Sequence, residues 1–391
     1  MNPIRLFIPT KIIFGSGKLN ELGKQDLPGK KALLLTTNGR STRANGYVDR
    51  VEEQLKKAGV TMTSFEEIEP NPLRATVMRG AEYARKEGCD FIVALGGGSC
   101  IDASKGVAVM ATNPGDLWDY MEWGSGKKQP ILIKPLPIVT IPTTAGTGSE
   151  IDPWGAILDE KTNEKCTIGN ELTRPVLSII DPELTLSVPA KLTAYQGFDA
   201  LFHASERLGS RFASPLTDLL ALTAMESIAS GLPDAVKNGR EDLDAREKVS
   251  LGNMYAGLSM NICAGLSQHP LENAMTAFHP DLTHGAGLLM ICEAYFALMA
   301  EKHAWDDRLI RMAGALGMKN PSDPMDFSRM LGDLLERTGI EKPRMSSFGI
   351  TPDEFPAFVK NARETMGGAF KSDLVPLSDE DCISVYARSY S

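Results

Sequence analysis

After Pro189 the β-branched runs that fill the first half of this chain disappear, and that change of texture constrains the fold more than any other feature. Before it, "KALLLTT" (31–37), "DFIVALGGG" (90–98), "PIVTIPTT" (137–144) and "VLSIIDP" (176–182) read as buried strands. The amphipathic segments "YVDRVEEQLKKAG" and "ATVMRGAEYARKEG" lie between the first two. Strand followed by helix, repeated, predicts a parallel α/β sheet. Beyond the change, long segments rich in Ala, Leu and Met predict an all-helical second half. The chain has 391 residues, more than a single core usually supports. Two domains are therefore expected: an α/β domain over 1–185 and an all-helical domain over 186–391. The prolines of "DPELTLSVP", Pro182 and Pro189, mark the junction.

Composition removes several functions. Fifty acidic residues against 41 Lys and Arg give a formal charge of −9, and no basic run is dense enough to track phosphates, which argues against nucleic acid. The six cysteines include no C-x-x-C pair, as expected of reduced thiols in a cytoplasm. The N-terminal "MNPIRLFIPTKIIFG" lacks the apolar core of a signal peptide. The longest apolar run, "AGLLMICEAYFALMA" (286–300), is too short for a bilayer and carries Glu293. A soluble protein without a membrane partner is the expectation. The charge cluster "NGREDLDAREK" (238–248) reads as a solvated helix face.

"FIVALGGGSCIDASKGVAV" (91–109) is a strand, a three-glycine turn and a helix. Ser99 is a candidate cap for that helix, with Asp102 at its positive end. Free N–H groups approached closely across Gly96, Gly97 and Gly98 suit a pyrophosphate. The alternative is an ordinary strand-to-helix turn, since the spacing is not G-x-G-x-x-G. "TIPTTAGTGSE" (140–150) supplies a second loop rich in hydroxyls and glycine after another strand. Both loops fall at strand C-terminal ends, where open α/β sheets bind ligands.

Histidine is scarce, yet three of the five occur in "GLSQHPLENAMTAFHPDLTHGAG" (265–287). In "QGFDALFHASERLG" (196–209), Asp199 and His203 are four apart, so both leave one face of a predicted helix. Alone, the two read equally as a hydrogen-bonded pair; His269 and His284 would complete an Asp-His-His-His set that suits Fe²⁺ or Zn²⁺ better than Mg²⁺ or Ca²⁺.

The ordered segments "PTKIIFGSGKLNELG", "GGGSCIDASK", "PTTAGTGSE", "FDALFHA" and "HPLENAMTAFHPDLTHGAG" resemble the signatures of the iron-containing, or group III, alcohol dehydrogenase family along the whole chain. The resemblance implies a dinucleotide-binding α/β domain, a helical domain, and metal and substrate between them. It implies metal ligation by Asp199, His203, His269 and His284. Cofactor contacts are implied at Gly97, Gly98, Ser99 and Asp102, at Thr143, Thr144, Thr147 and Ser149, and at Asn71 and Lys165. Family members also imply at least a homodimer, formed through the strand near "TKIIFG".

Two departures from the family pattern stand out. The segment "TTNGRSTRANG" (36–46) has no acidic residue to hold ribose hydroxyls, as NAD-preferring relatives do. It resembles the version in NADP-using relatives, where Arg40, Ser41 and Arg43 would meet a 2′-phosphate, while NAD(H) stays acceptable. Relatives also carry a proton-relaying histidine where this chain has Asn273, and an amide does not exchange protons at neutral pH. His279 is then the local candidate for a catalytic or substrate contact, with a structural helix-end role as the alternative. Trp154, Phe278 and the small Gly265 neighbourhood are candidate pocket positions. The expected reaction is hydride transfer between NAD(P)(H) and a small primary alcohol or aldehyde. A second resemblance, to the NAD- and zinc-dependent lyase dehydroquinate synthase, is disfavoured because that enzyme pairs one glutamate with two histidines and uses several basic residues. A metal-binding scaffold without turnover leaves both glycine loops unexplained.

Overall fold

A computed structural model describes residues 2–391, and the chain divides into two units. One comprises 8–144 and 149–187; the other comprises 188–391 with the N-terminal segment through Phe7 and the short stretch 145–148. A single cut at 185/186 misses these two segments, because the glycine-rich stretch Ala145–Gly148 leaves the α/β unit and returns within four residues.

The α/β unit contains β1 (Lys11–Phe14), β2 (Lys31–Thr37), α1 (Ser41–Ala44), α2 (Tyr47–Lys57), β3 (Thr61–Ile68), α3 (Arg74–Glu87) and β4 (Phe91–Gly96). It continues with α4 (Gly98–Thr112), α5 (Leu117–Tyr120), β5 (Ile138–Pro142), β6 (Gly155–Asp159), β7 (Glu164–Ile168) and β8 (Leu177–Ile180). Six strands form one sheet in the order β1-β8-β5-β4-β2-β3, every pair parallel. Alternation along the strands fills both faces. Leu33 and Leu35 of β2 join Val77 and Ala81 of α3 and Val107 of α4 in one cluster; Ala32 and Leu34 join Val48, Val51 and Leu55 of α2 in the other. The helices after β2 and β3 thus lie on opposite faces, which makes the C-terminal ends of β2 and β4 a switch point, the place where doubly wound sheets bind ligands.

Four of these strands carry the apolar runs read from the sequence. The remaining ones lack such runs: β1 and β3 have mostly partly exposed side chains, and the antiparallel hairpin β6–β7, though largely buried, is interrupted by Gly155, Asp159, Glu164 and Lys165.

The helical unit contains α6 (Ala190–Gly209), α7 (Pro215–Lys237), α8 (Leu243–Met260), α9 (Gln268–Phe278), α10 (His284–Glu301), α11 (Asp306–Ala315), α12 (Asp326–Thr338), α13 (Phe355–Phe370) and α14 (Asp379–Ser389). Helices α6 and α10 are buried almost all round, as expected of central helices apolar on every face. Helix α7 is the one described helix long and apolar enough to cross a membrane, and over half of it is buried; a capping box of Ser214 and Thr217 with Pro215 in the first turn starts it. One expectation fails in this unit. Arg246, within the supposed solvated cluster, is buried and donates to Val188 O at 2.9 Å and Thr193 Oγ1 at 2.7 Å, because carbonyls exposed before α6 need a donor. All six cysteines are free and buried.

Candidate active site: a histidine cluster and a dinucleotide cradle

Three helices of one unit build the histidine cluster. Asp199 and His203 leave one face of α6, His269 sits in the first turn of α9, and His284 opens α10. Asp199 Oδ1 is the hub, 3.5 Å from His203 Nδ1, 3.4 Å from His269 Nε2 and 3.6 Å from His284 Nε2. The rings of His203 and His269 stack at 4.4 Å, and those of His269 and His284 lie 5.4 Å apart. Ligand atoms of Asp199, His203 and His269 all lie within 4.8 Å of one another, a grouping able to hold a metal ion. Burial opposes ionisation of Asp199, but the three imidazoles around it outweigh burial and hold its carboxyl well below the usual range. Burial pushes His203 well below its ordinary value, toward the neutral form that binds metals. Burial also opposes charge on His269, yet in the metal-free chain Glu206 and Asp199 raise it to about 9. A divalent cation fits this set: buried nitrogen and oxygen donors converge on an ionised carboxylate.

Two carboxylates that the sequence reading passed over complete the cluster. Glu206 accepts from His269 Nδ1, and Glu272 from His284 Nδ1. The only local signal is that each glutamate follows a histidine by three residues, yet each bonds a different histidine from the one it follows.

The other expected residues of this unit fall nearby or apart. Asn273 is buried one turn beyond His269; its Nδ2 donates to Met366 Sδ at 2.9 Å, where α13 departs from helical geometry. His279 caps the C-terminus of α9, holds Glu354 Oε1 at 2.9 Å and meets the Phe358 ring edge-on, outside the four-residue cluster. Phe278 also packs edge-on against Phe358. Gly265 abuts Glu206 and Arg207. Thr147 belongs to this unit.

The second site lies at the ends of β4 and β5, neighbours in the sheet with Gly96 opposite Pro142. One detail differs from expectation. The residue before α4 is Gly97, with no side-chain cap, and Ser99 lies inside the helix. No acidic residue occupies the first turn, so the N-terminal N–H groups and the positive helix end are left for an anion. A Cβ on Gly97 would come within 3.0 Å of Thr144 Oγ1; the missing side chain is the opening between the two loops. Thr143 N donates to Gly96 O at 2.9 Å.

Asp102 accepts instead from Ser149 Oγ at 2.5 Å and Ala156 N at 3.1 Å. Burial raises it to about 6, opposed by Lys105 and the Ser149 bond. Lys105, one turn further along α4, is fully buried. Its ammonium donates to Ser149 O, Ser149 Oγ, Asp152 Oδ1 and Trp154 O at 2.5–2.9 Å, pinning the second loop to α4. Trp154 itself is 42% exposed, which excludes it from the core. Asn71, in left-handed backbone geometry, and Lys165 come together at 3.1 Å. Arg40 precedes α1, also left-handed, while Arg43 forms a two-pronged pair with Glu66.

Residues 9–182 match the family model "Iron-containing alcohol dehydrogenase" and residues 193–390 match "Fe-containing alcohol dehydrogenase family, C-terminal". A choline dehydrogenase of Bacillus subtilis is 36% identical over 91% of this chain and 88% of its own length. An NADH-dependent butanol dehydrogenase A of Clostridium acetobutylicum is 29% identical over 98% of both chains. The crystal structure of an archaeal halo-thermophilic alcohol dehydrogenase from a Red Sea brine pool superposes with a TM-score of 0.93 at 33% identity, covering 100% of this chain and 99% of that one. Matched along both units, the chain belongs to the iron-containing alcohol dehydrogenase family and is an NAD-dependent oxidoreductase of alcohols and aldehydes.

Proposed function

We propose that this enzyme interconverts small aldehydes and primary alcohols with iron(II) held by Asp199, His203, His269 and His284, Zn²⁺ being the alternative occupant. The observation that carries this reading is the convergence of three histidines from three helices on Asp199 Oδ1. When bound, the metal supplies Lewis-acid polarisation of the substrate oxygen and the nicotinamide supplies or accepts the hydride. This chain's residues bind and orient. Gly97, Gly98 and Ser99 offer backbone N–H groups to the pyrophosphate. Asp102, fixed by Ser149, faces the nicotinamide side, and Thr143, Thr144, Thr147 and Ser149 line the dinucleotide. Asn71 and Lys165 hold each other in place beside it. Asn273 carries no exchangeable proton, and the bond from His279 to Glu354 favours the helix-end role for His279. The alcohol proton then comes from water or a cofactor ribose hydroxyl. The lyase alternative is not favoured, since both family matches are to alcohol dehydrogenases.

With Arg43 engaged by Glu66, Arg40 and Ser41 are the groups left for a 2′-phosphate, and the enzyme uses NADP(H) as well as NAD(H). A cytoplasmic homodimer or larger homo-oligomer, without nucleic-acid or membrane partners, completes the reading.

The test is a panel of short aldehydes assayed with NADH and NADPH, alongside metal analysis. His269→Ala should lose bound metal and nearly all turnover while keeping cofactor affinity; full turnover by metal-stripped enzyme overturns the proposal. Arg40→Ala should lower kcat/KM for NADPH by about tenfold relative to NADH, the scale of one charged contact. An unchanged ratio removes the NADP assignment.

A further inference from the structure

The two carboxylates behind the histidine cluster have a shared construction. Glu206 on α6 and Glu272 on α9 are fully buried. Glu206 Oε1 accepts from His269 Nδ1 at 2.5 Å and His269 N at 3.2 Å, and Oε2 from Leu266 N at 2.8 Å. Glu272 Oε2 accepts from His284 Nδ1, and Oε1 from Thr276 Oγ1 at 2.6 Å. Each carboxylate lies against a glycine. A Cβ on Gly265 would stand 2.5 Å from Glu206 Oε2, and one on Gly287 would stand 2.6 Å from Glu272 Oε1. His203 is held differently, with Nδ1 3.3 Å from the Gly146 carbonyl.

We propose that Glu206 and Glu272 are positioning residues of the metal centre, seated in space left by Gly265 and Gly287, that fix which nitrogen of His269 and His284 is available to the ion. This inference rests on the proposed ligand set. An ionised carboxylate only accepts hydrogen bonds, and a neutral imidazole has one N–H and one lone pair. Pairing Nδ1 with a glutamate therefore puts the proton there and leaves Nε2 as the donor atom. Those Nε2 atoms are the ones turned toward Asp199. A carboxylate in a helical interior is costly to hold unless it is hydrogen-bonded, and both are bonded on each oxygen, Glu206 with Arg207 Nη1 also 3.6 Å away; packed against glycines, they mark a built arrangement. Such outer partners typically account for 10–100-fold in metal affinity. The braces are crossed: Glu206 follows the ligand His203 by three positions but holds His269, and Glu272 follows His269 by three but holds His284.

The experiment measures Co²⁺ and Zn²⁺ dissociation constants of the full-length protein by competition with a chromophoric chelator. Melting of each metal-free protein is followed in parallel. Glu206→Gln and Glu272→Gln should each weaken binding by about 10–100-fold and perturb the visible spectrum of bound Co²⁺. Gly287→Ala, which keeps every polar group and only displaces Glu272, should weaken binding in the same direction. Metal-free melting within a few degrees of wild type separates this from a general packing defect. Binding within twofold of wild type by both Gln variants overturns the inference. Should neither Gln variant fold, Gly287→Ala decides it, unchanged affinity being the negative result. The underlying ligand assignment fails separately, if wild type binds no metal or His269→Ala binds as tightly as wild type.

Discussion

Lys105 shows how a single residue can govern a loop it does not belong to. Its ammonium, buried in α4, holds Ser149, Asp152 and Trp154 and lies close enough to lower the otherwise raised pKa of Asp102. Replacing it with Met would leave buried carboxylates without their cation, a change that typically costs 3–5 kcal/mol. Lys105→Met should therefore lose about that much stability in urea denaturation and bind NADH more weakly. A loss below about 1 kcal/mol would mean the loop stands without it. At this scale the sequence was partly legible. Asp199 and His203, four apart on one helix, announce a shared face. Glu206 and Glu272 do not announce their roles, because each serves a histidine from another helix, and that pairing exists only once α6, α9 and α10 have packed. Lys105 was hidden for a related reason, since a lysine in a helix ordinarily reaches solvent and nothing local says that four acceptors await it.

Among elements, the join between α9, α10 and the loop after α13 is made by one acid. Asp373 Oδ1 accepts from Ser267 N at 3.2 Å, just before α9, and from Tyr295 Oη of α10 at 3.3 Å. Burial raises Asp373 to about 7, Ser267 opposing and nearby Glu206 adding to the rise. A carboxyl with a raised native pKa keeps its proton longer in the folded chain than in the unfolded one. Its stabilising contribution is complete below the unfolded value of 3.8 and is lost as pH rises through about 7. Asp373→Asn still accepts both hydrogen bonds but cannot ionise. It should gain on the order of 4 kcal/mol over wild type at pH 8 and little at pH 4. Urea titrations at the two pH values check this, and an equal difference at both would refute it. The helices themselves were readable from composition, as were the four central strands. The strands β1 and β3 and the hairpin β6–β7 were not: the first two lie at the sheet edges with most side chains partly exposed, and the hairpin, though largely buried, mixes charged and apolar residues.

For the whole molecule, all four proposed ligands and both bracing glutamates lie in the helical unit. Ligand binding stabilises only the state that binds, by about 2.7 kcal/mol at one hundred times Kd. Chelation of the purified enzyme should therefore lower its melting temperature by several degrees, and restored Fe²⁺ or Zn²⁺ should recover it. A melting curve indifferent to metal would argue against a preformed centre in that unit. The division into units was legible as a change of texture, but the brief exit of 145–148 was not. Four residues of glycine, alanine and threonine look the same in either setting.

The crossed bracing also decides how far this centre can be transplanted. The stretch 265–287 contains His269, His284, Glu272 and both seating glycines, and so resembles a self-contained metal-binding cassette. It carries the brace for His284 but not for His269, whose partner Glu206 stays behind on α6 with Asp199 and His203. Grafted into another scaffold or made as a peptide, it would present one oriented imidazole and one free to turn. Any working graft has to bring α6, α9 and α10 together as a set.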